Sequence, residues 1–237
     1  MSELLDRRAQ KKALTRAHVR AVAQELFAER GFDAVTIADV ARAADVAVQT
    51  VFNHFSTKEE LFFDGRTPWV TGPADAVRDR TPGMTAHTAL RNYLVALVRG
   101  RFGALASVKS RTYLRTIEGS DALLAHERDL IHECERRLTE ALHEVWASPD
   151  DRDGIVSQDP ATAATLTAAT WLGAARALII GQRSRVTAGA CPLEIAETLG
   201  QLAERFFDAA IATMPAFEEE AGAAVMPAVE WPASRAS

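Results

Sequence analysis

Residues 48–54 carry the side chains best suited to recognise a partner by hydrogen bonding. The amide of Gln49 can both donate to and accept from an adenine edge, through N7 and the N6 amino group. Val48 can contact a thymine methyl group. Thr50, Asn53 and His54 suit contacts to phosphates or base edges, which position a protein on a duplex rather than specify the sequence. The chemistry predicted here is therefore recognition of double-stranded DNA.

Catalytic chemistry is harder to place. Three His-Glu pairs occur, His126-Glu127, His132-Glu133 and His143-Glu144. None has the second histidine that a helical H-E-x-x-H zinc motif requires, and no P-loop, nucleophile elbow or dinucleotide glycine pattern is present. Cys134 and Cys191 lack the paired spacing of metal ligands and are expected to be buried thiols. We predict that the chain is not an enzyme and has no catalytic residues, no metal and no cofactor.

The recognition residues must be held by helices, and residues 36–55, TIADVARAADVAVQTVFNHF, predict two short ones. Thr36 can cap the first helix, with Asp39 three residues later as its capping-box partner. The helical pattern breaks at Ala44 and Asp45, and Asp tolerates a left-handed turn. A second helix over about 47–53 then has the arrangement of a helix-turn-helix, whose second helix enters the DNA major groove. A plain pair of packed helices fits the periodicity equally well.

The flanking residues favour the helix-turn-helix. Residues 15–30 predict an amphipathic helix, and Gly31 follows where a left-handed C-terminal residue is wanted. Downstream, residues 56–59 (STKE) predict a capping box at the start of another helix.

Over residues 15–62, TRAHVRAVAQELFAERGFDAVTIADVARAADVAVQTVFNHFSTKEELF, the chain resembles the N-terminal domain of the TetR family of bacterial transcriptional regulators. The matching marks, in order, are Thr15-Arg16, Leu26-Phe27, Gly31-Phe32, Thr36, the turn at Val46, the block from Phe52 to Phe55, and Lys58-Glu59-Glu60-Leu61. The resemblance covers residues 13–73, about a quarter of the chain. Asp45 stands where the family often has Gly, and Ala47 and Phe52 replace a frequent Ser and Tyr. Two hydroxyls that could reach phosphate are thereby lost, so Phe52 is expected to contribute packing.

The resemblance implies a dimeric regulator whose N-terminal domains bind a palindromic operator, and whose larger domain binds a small-molecule effector that releases the DNA. A repressor is the expected type. We predict a DNA-binding set of Thr36, Val48, Gln49, Thr50, Phe52, Asn53, His54 and Lys58. The alternative function is a helical small-molecule carrier, or an enzyme, in which the helix-turn-helix is purely structural.

Charge is unevenly distributed along the 237 residues, whose net charge is −5. Residues 1–20 hold six basic and two acidic side chains, so the remaining residues sum to −5 − 4 = −9. A basic arm on an acidic body suits contact with DNA phosphate at one end, and a solvated, frayed terminus explains it equally well. The charged N-terminus lacks a secretory leader, and no run of 18 apolar residues occurs, so we expect a cytoplasmic protein without a membrane span.

The rest of the chain predicts an all-α architecture with a boundary near 73/74. A broken loop is expected over 65–84 with a short helical piece at 74–80, followed by helices over about 85–106, 110–118, 120–146, 160–185 and 192–214. Residues 148–158 read as a polar loop and 215–237 as a disordered tail. The last two helices are apolar around much of their circumference. They are therefore predicted to form a four-helix dimer interface, the alternative being a central place in a monomer core.

Large or polar side chains on the helices of 74–214 are the candidates for lining an effector pocket: Tyr93, Phe102, Tyr113, Trp146, Trp171 and Arg176. Each is also an ordinary core residue at helical spacing. An apolar or amphipathic small molecule is the expected class of effector.

Overall fold

The computed structural model describes residues 2–148 and 159–221, and these ranges contain helices and no strand. The helices, in order, are α1 Ser2–Arg30, α2 Ile37–Ala43, α3 Val48–Phe52, α4 Lys58–Phe63, α5 Pro68–Arg78, α6 Ala86–Ala104, α7 Val108–Glu118, α8 Asp121–Trp146, α9 Pro160–Ile180, α10 Arg183–Thr187 and α11 Pro192–Ala221. The predicted all-α fold class is confirmed. The polar loop predicted for 148–158 lies, apart from residue 148, outside the described residues.

Local backbone signals were read correctly around the helix-turn-helix. Thr36 caps α2 and forms the predicted capping box with Asp39. Asp45 has a φ of 52° and Gly31 a φ of 83°, so both adopt the left-handed conformation expected at these turns. The cap of α4 differs by one residue: Thr57, not Ser56, accepts from the backbone N–H of Glu60. The backbone N–H of Ser56, one residue before the cap, donates to the Glu60 carboxylate.

The N-terminal helices close around an aromatic core. Phe27, Phe32 and Phe62 form a triangle with ring centroids 5.2, 5.6 and 5.7 Å apart. Val19, Val40 and other apolar residues of α1 to α4 surround this triangle and are buried. Helix α1 begins at Ser2, well before the predicted start at 15, so the basic arm is helical.

Helix α5 runs through Gly72 and Pro73, where a broken loop was predicted. Two features of neighbouring helices compensate for these residues. Pro73 has no N–H to bond the Trp69 carbonyl four residues earlier, and the Cys134 thiol of α8 donates to that oxygen instead, at 3.4 Å. A Cβ on Gly72 would lie 2.0 Å from the Tyr93 hydroxyl, so only glycine lets α5 approach α6 this closely. The boundary proposed at 73/74 therefore falls inside a helix that packs on α6 and α8.

The larger C-terminal part is a bundle in which α6, α8, α9 and α11 enclose a second core. Helix α9 ends at Ile180, because a turn at residues 181–182 separates α10 from it. Helix α11 continues to Ala221, past the end predicted before Pro215, and residues 216–221 include helix-favouring Ala and Glu. Of the predicted disordered tail, residues 222–237 lie outside the described residues.

The two cores meet at α7 and the start of α8. Ile117 and Leu123 are buried in the N-terminal core although they belong to the C-terminal helices. The Tyr113 ring stacks on Phe62 of α4, with centroids 5.1 Å apart and planes 13° apart. The hydroxyl of Ser120, just before α8, donates to Asp33 at 3.0 Å. A displacement of α7 would therefore be transmitted directly to the N-terminal domain.

Helices α9 and α11 leave large apolar side chains in solvent on the single chain. Leu166 is 60% exposed, Leu202 49% and Phe206 46%. The stretch Pro160–Val186 is long and apolar enough to cross a bilayer by length and composition, and only 33% of its most apolar window is buried. Arg176 and several threonines interrupt this stretch, which is why no continuous apolar run marks it in the sequence.

Candidate nucleic-acid interface and effector cavity

The outer face of α3 is open to solvent. Val48 is 42% exposed and Phe52 47%, and Gln49 and Asn53 are also exposed, whereas Val51 on the opposite face is fully buried. The Gln49 Nε2 amide donates to Asn53 Oδ1 at 3.2 Å, which orients both side chains along the same face. The sequence prediction that Val48, Gln49 and Asn53 share an exposed helical surface matches this geometry, whereas Phe52, which was expected to contribute packing, is also exposed.

Arg16 of α1 fixes the end of α3 from behind. Its guanidinium donates to the His54 carbonyl oxygen and to Asp64 Oδ1, the latter at 2.5 Å, and lies 4.2 Å from the centroid of the Phe55 ring. The hydrogen bond to Asp64 raises the pKa of Arg16. Arg20 also pairs with Asp64, at 3.3 Å. Arg16 and Arg20, counted in the basic arm by sequence, thus hold the domain together.

His54 is half-buried, and its Nδ1 atom is buried without a hydrogen-bond partner. Burial lowers the pKa of His54, and the positive charges of Lys12 and Arg16 lower it further. The ring is therefore neutral at pH 7 and adds no positive charge for a phosphate. Its neighbour Thr50 is also only partly exposed.

Lys58, a predicted phosphate contact, is committed to the domain itself. Its ammonium donates to the carbonyl oxygens of Phe32 and Val35, at 2.9 and 3.0 Å, and lies 4.1 Å from the centroid of the Phe32 ring. The Thr36 hydroxyl is exposed, but it already accepts the N–H of Asp39 in the cap. Both residues lie beside the α1–α2 connection and support it.

Exposed positive charge on the N-terminal domain is carried by other residues. Lys11 and Lys12 lie on the outer surface of α1, and the Arg42 side chain at the end of α2 is 78% exposed. Arg42 was not singled out from the sequence. The sequence feature that could have drawn attention to Arg42 is its i+3 spacing from Asp39, with which it pairs at 3.0 Å.

Two cavities lie in the C-terminal bundle, with about 560 and about 490 Å³ of space, part of it open to solvent. Cavity A is lined by Trp69, Pro73, Leu97, Arg101, Glu127, Ile131, Cys134, Leu172, Ala175, Arg176, Ile179, Ile180 and Arg183. Cavity B is lined by Arg101, Phe102, Ala104, Leu105, Ser110, Tyr113, Leu114, Ile179 and Arg183. Arg101, Ile179 and Arg183 line both, so the two cavities share a wall.

The six residues predicted for an effector pocket are divided between these cavities and the core. Arg176 lines cavity A, and Phe102 and Tyr113 line cavity B. The other three, Tyr93, Trp146 and Trp171, line neither. Trp146 and Trp171 pack on His87, with ring centroids 5.0 and 5.6 Å away, and so fill the bundle core. Tyr93 lies against Gly72, and burial raises the pKa of its phenol to about 12.

Charged residues of the cavities were missed. Arg183 binds Glu127 through both guanidinium nitrogens, at 2.6 and 2.9 Å, and each side chain is only 8% exposed. Glu127 has a signal in the sequence, because it occupies the apolar stripe of α8 between Leu123 and Ile131, at i+4 spacing from each. An acidic residue in such a stripe must be paired or functional.

The cysteines and acidic residues form no metal site in the described ranges, where no group of three His, Cys, Asp or Glu side chains is close enough to hold an ion. Cys134 is buried, and burial raises the pKa of its thiol to about 12. Cys191 is exposed, contrary to the expectation of two buried thiols, because it lies in the connection just before α11.

Comparison with known proteins assigns the N-terminal domain. Residues 19–64 match the family profile described as "Bacterial regulatory proteins, tetR family". A curated relative, a candidate mycofactocin biosynthesis transcriptional regulator, MftR, of Mycobacterium tuberculosis, is 29% identical over 119 residues. That alignment covers 49% of this chain and spans 58% of the length of the relative.

Solved structures support the same fold over most of the chain. NalD, the secondary repressor of the MexAB-OprM multidrug efflux pump in Pseudomonas aeruginosa, is similar with a TM-score of 0.51 and 23% identity, over 82% of this chain and 96% of that one. The SmeT–triclosan complex is similar with a TM-score of 0.54 and 19% identity, over 83% and 91% of the two chains. At these identities the likeness concerns the fold alone.

The profile match covers the helix-turn-helix that presents α3, and the solved structures share the fold over most of the chain. The prediction that the chain is not an enzyme agrees with a family of regulatory proteins. Residues 19–64 therefore match the tetR family of bacterial regulatory proteins, and most of the chain shares the fold of the two solved structures.

Proposed function

We propose that this protein is a ligand-responsive repressor that binds a palindromic operator as a homodimer and leaves it when a small molecule enters the C-terminal bundle. The observation that carries the proposal is the outer face of α3. Gln49 and Asn53 are exposed there side by side, while α1 holds the end of the helix through Arg16. A helix that reads the major groove must be anchored to its domain on one face and exposed to solvent on the other, as α3 is.

Gln49 is the proposed base reader and Val48 its apolar companion. The Gln49 amide is already turned along the helix by its bond to Asn53, so a bidentate contact to adenine costs little further ordering. Lys11, Lys12 and Arg42 are the proposed phosphate contacts, because their charges are exposed on the same domain. Lys58 and Thr36 are assigned a supporting role instead.

The proposed dimer uses α9 and α11. Arg91 and Arg99 of α6 pair with Asp208 and Glu204 on one side of α11, which fixes that side inside the subunit. Leu202 and Phe206 then remain exposed and unpartnered in the single chain. Burying such side chains against a second copy gives each about 1.5–3 kcal/mol, and two copies would place two α3 helices for two half-sites.

The proposed coupling runs from cavity B through α7. Tyr113 lines that cavity and stacks on Phe62 of α4. An effector that binds the conformation with displaced α7 more tightly than the operator-bound conformation would shift the population away from DNA. Apolar lining residues on both sides of the shared wall favour an apolar or amphipathic molecule.

A mobility-shift titration on DNA from upstream of the protein's own gene tests the reading helix. Gln49→Ala should weaken specific binding by about ten-fold or more, because a bidentate base contact contributes about 1–3 kcal/mol. Asn92→Ala, which truncates an exposed amide on α6, is the matched control and should change nothing. Unchanged binding by Gln49→Ala would refute the assignment of α3 as the reading helix.

The dimer has its own test. Phe206→Glu places a charge on the proposed interface and should convert the protein from twice the chain mass to a single chain mass in light scattering. Operator affinity should also fall, because a single chain carries one α3 helix and can contact only one half-site. Phe206 is 46% exposed, so the single chain should keep its helical content and serve as its own folding control. A wild-type protein of single-chain mass would contradict the dimer.

A further inference from the structure

Cavity A combines apolar walls with an excess of positive charge. Three guanidinium groups, those of Arg101, Arg176 and Arg183, face one carboxylate, that of Glu127. The remaining lining residues are apolar apart from Cys134, which already donates to the Trp69 carbonyl. A neutral apolar ligand would need none of these charges.

The buried pair within the cavity neutralises itself. Both oxygens of Glu127 accept from Arg183, at 2.6 and 2.9 Å, with both side chains 8% exposed. This two-bond geometry is the strongest form of an arginine–carboxylate contact. The Glu127 carboxylate is therefore committed to Arg183 and does not serve as the partner of a second guanidinium.

Two guanidinium groups are left over: that of Arg176, which is exposed to solvent, and that of Arg101, which is not. Arg101 lies in the wall that cavities A and B share, and among the side chains that the structure describes it has no ion pair and no hydrogen bond. Burial lowers the pKa of Arg101, and the positive charge of Arg183 lowers it further, against the opposing effects of Tyr113 and Glu127. A largely buried cation without an anion is unfavourable.

The group beside Arg101 completes an anion-binding arrangement. Tyr113 lines cavity B next to it, and burial raises the pKa of that phenol to about 12, so the hydroxyl stays protonated and can donate. A guanidinium fork and a hydroxyl are donors that match carboxylate, sulfonate and phosphate oxygens. The apolar walls on either side suit a hydrocarbon or aromatic body.

We propose that the effector is an amphipathic anion, whose oxyanion head binds Arg101 and Tyr113 while its apolar body occupies cavity A or B. This inference rests on the proposed function, because it names the class of molecule that acts at the effector site. Since Tyr113 also stacks on Phe62, the head group is placed at the contact between the two domains.

The test uses the full chain and two probes of the same shape. 8-Anilinonaphthalene-1-sulfonate carries a sulfonate, and N-phenyl-1-naphthylamine is the same ring system without it. In fluorescence titrations the wild type should bind the anion about ten-fold more tightly than the neutral probe, as expected for one charge-assisted bond. Arg101→Gln should abolish that preference and leave the affinity for the neutral probe within about two-fold, whereas Arg136→Gln, on the outer surface of α8, should preserve it.

Thermal melting provides the folding control. Arg101→Gln removes an uncompensated charge, so its Tm without probe should equal or exceed that of the wild type. The sulfonate probe should raise the Tm of the wild type more than it raises the Tm of Arg101→Gln. Equal affinities of the wild type for the two probes, or an anion preference that persists in Arg101→Gln, would overturn the inference. Operator binding by the unliganded wild type and by Arg101→Gln distinguishes this inference from the proposed function. If the unliganded wild type does not bind the operator, the proposed function is refuted. If it binds the operator but shows no preference for the anionic probe, only this inference is refuted.

Discussion

Each domain is held together by arginine–carboxylate contacts between distant helices, but the two sets differ in burial. In the N-terminal domain Arg16 and Arg20 converge on Asp64, and the arginine side chains remain 36% and 37% exposed. In the bundle Arg183 and Glu127 are 8% exposed, and both line cavity A. Water screens the first set and not the second, so loss of one partner alone should cost little in the N-terminal domain and much in the C-terminal bundle. Stability in the reading domain instead comes from its aromatic core.

The largest effect is expected from breaking the buried pair on one side. Glu127→Ala leaves Arg183 without its carboxylate and should lower the free energy of unfolding by about 3–5 kcal/mol. Chemical denaturation measures it. The exposed pair between Arg78 of α5 and Glu144 of the same helix α8, at 2.8 Å, provides the control, and Glu144→Ala should leave stability unchanged within error.

The double substitution Glu127→Met with Arg183→Met sharpens this result. Because it removes both charges and refills their volume, it should recover most of the stability that Glu127→Ala loses. If the double variant were as unstable as the single one, packing rather than an uncompensated charge would be the cause.

A smaller effect is expected at the partly exposed anchor. Asp64→Ala removes the partner of Arg16 and Arg20 and should cost about 1 kcal/mol, since solvent screens both contacts. Operator affinity should fall as well, because Arg16 also holds the carbonyl at the end of α3. Asp129→Ala, at an exposed position of α8, is the matched control. A loss as large as that of Glu127→Ala would remove the contrast between the domains.

The sequence predicted those features that depend on neighbouring residues. The Thr36–Asp39 cap and the left-handed Asp45 follow from residues within three positions of each other. The exposed face of α3 follows from helical spacing alone. These are local consequences of side-chain and backbone chemistry, so they need no knowledge of the rest of the chain.

The errors arose where a distant partner decides the outcome. Pro73 was expected to break a helix, but Cys134, 61 positions away, satisfies the carbonyl that the proline leaves free. Lys58, which was predicted to contact phosphate, also donates to the carbonyl oxygens of Phe32 and Val35. Of the predicted pocket residues, Phe102, Tyr113 and Arg176 line the cavities, whereas Arg101, Glu127 and Arg183 were not anticipated there. None of these partners is visible from residue type and spacing.

The smallest effect is expected from His54 of the N-terminal domain, whose buried ring should make stability depend on pH. The unfolded chain protonates His54 near its ordinary pKa of about 6.5, whereas burial lowers that pKa in the folded protein. As the pH falls below about 6.5, the unfolded state therefore binds more protons than the folded state. The contribution of His54 to stability is complete above that pH and is lost as the pH falls towards the lower pKa of the folded protein. Between pH 7.5 and 5.5 the wild type should lose more Tm than His54→Gln, while His132→Gln, at an exposed position of α8, should follow the wild type. Identical profiles for wild type and His54→Gln would mean that His54 titrates alike in the folded and unfolded states, and therefore that its ring is not buried in solution as it is in the structure.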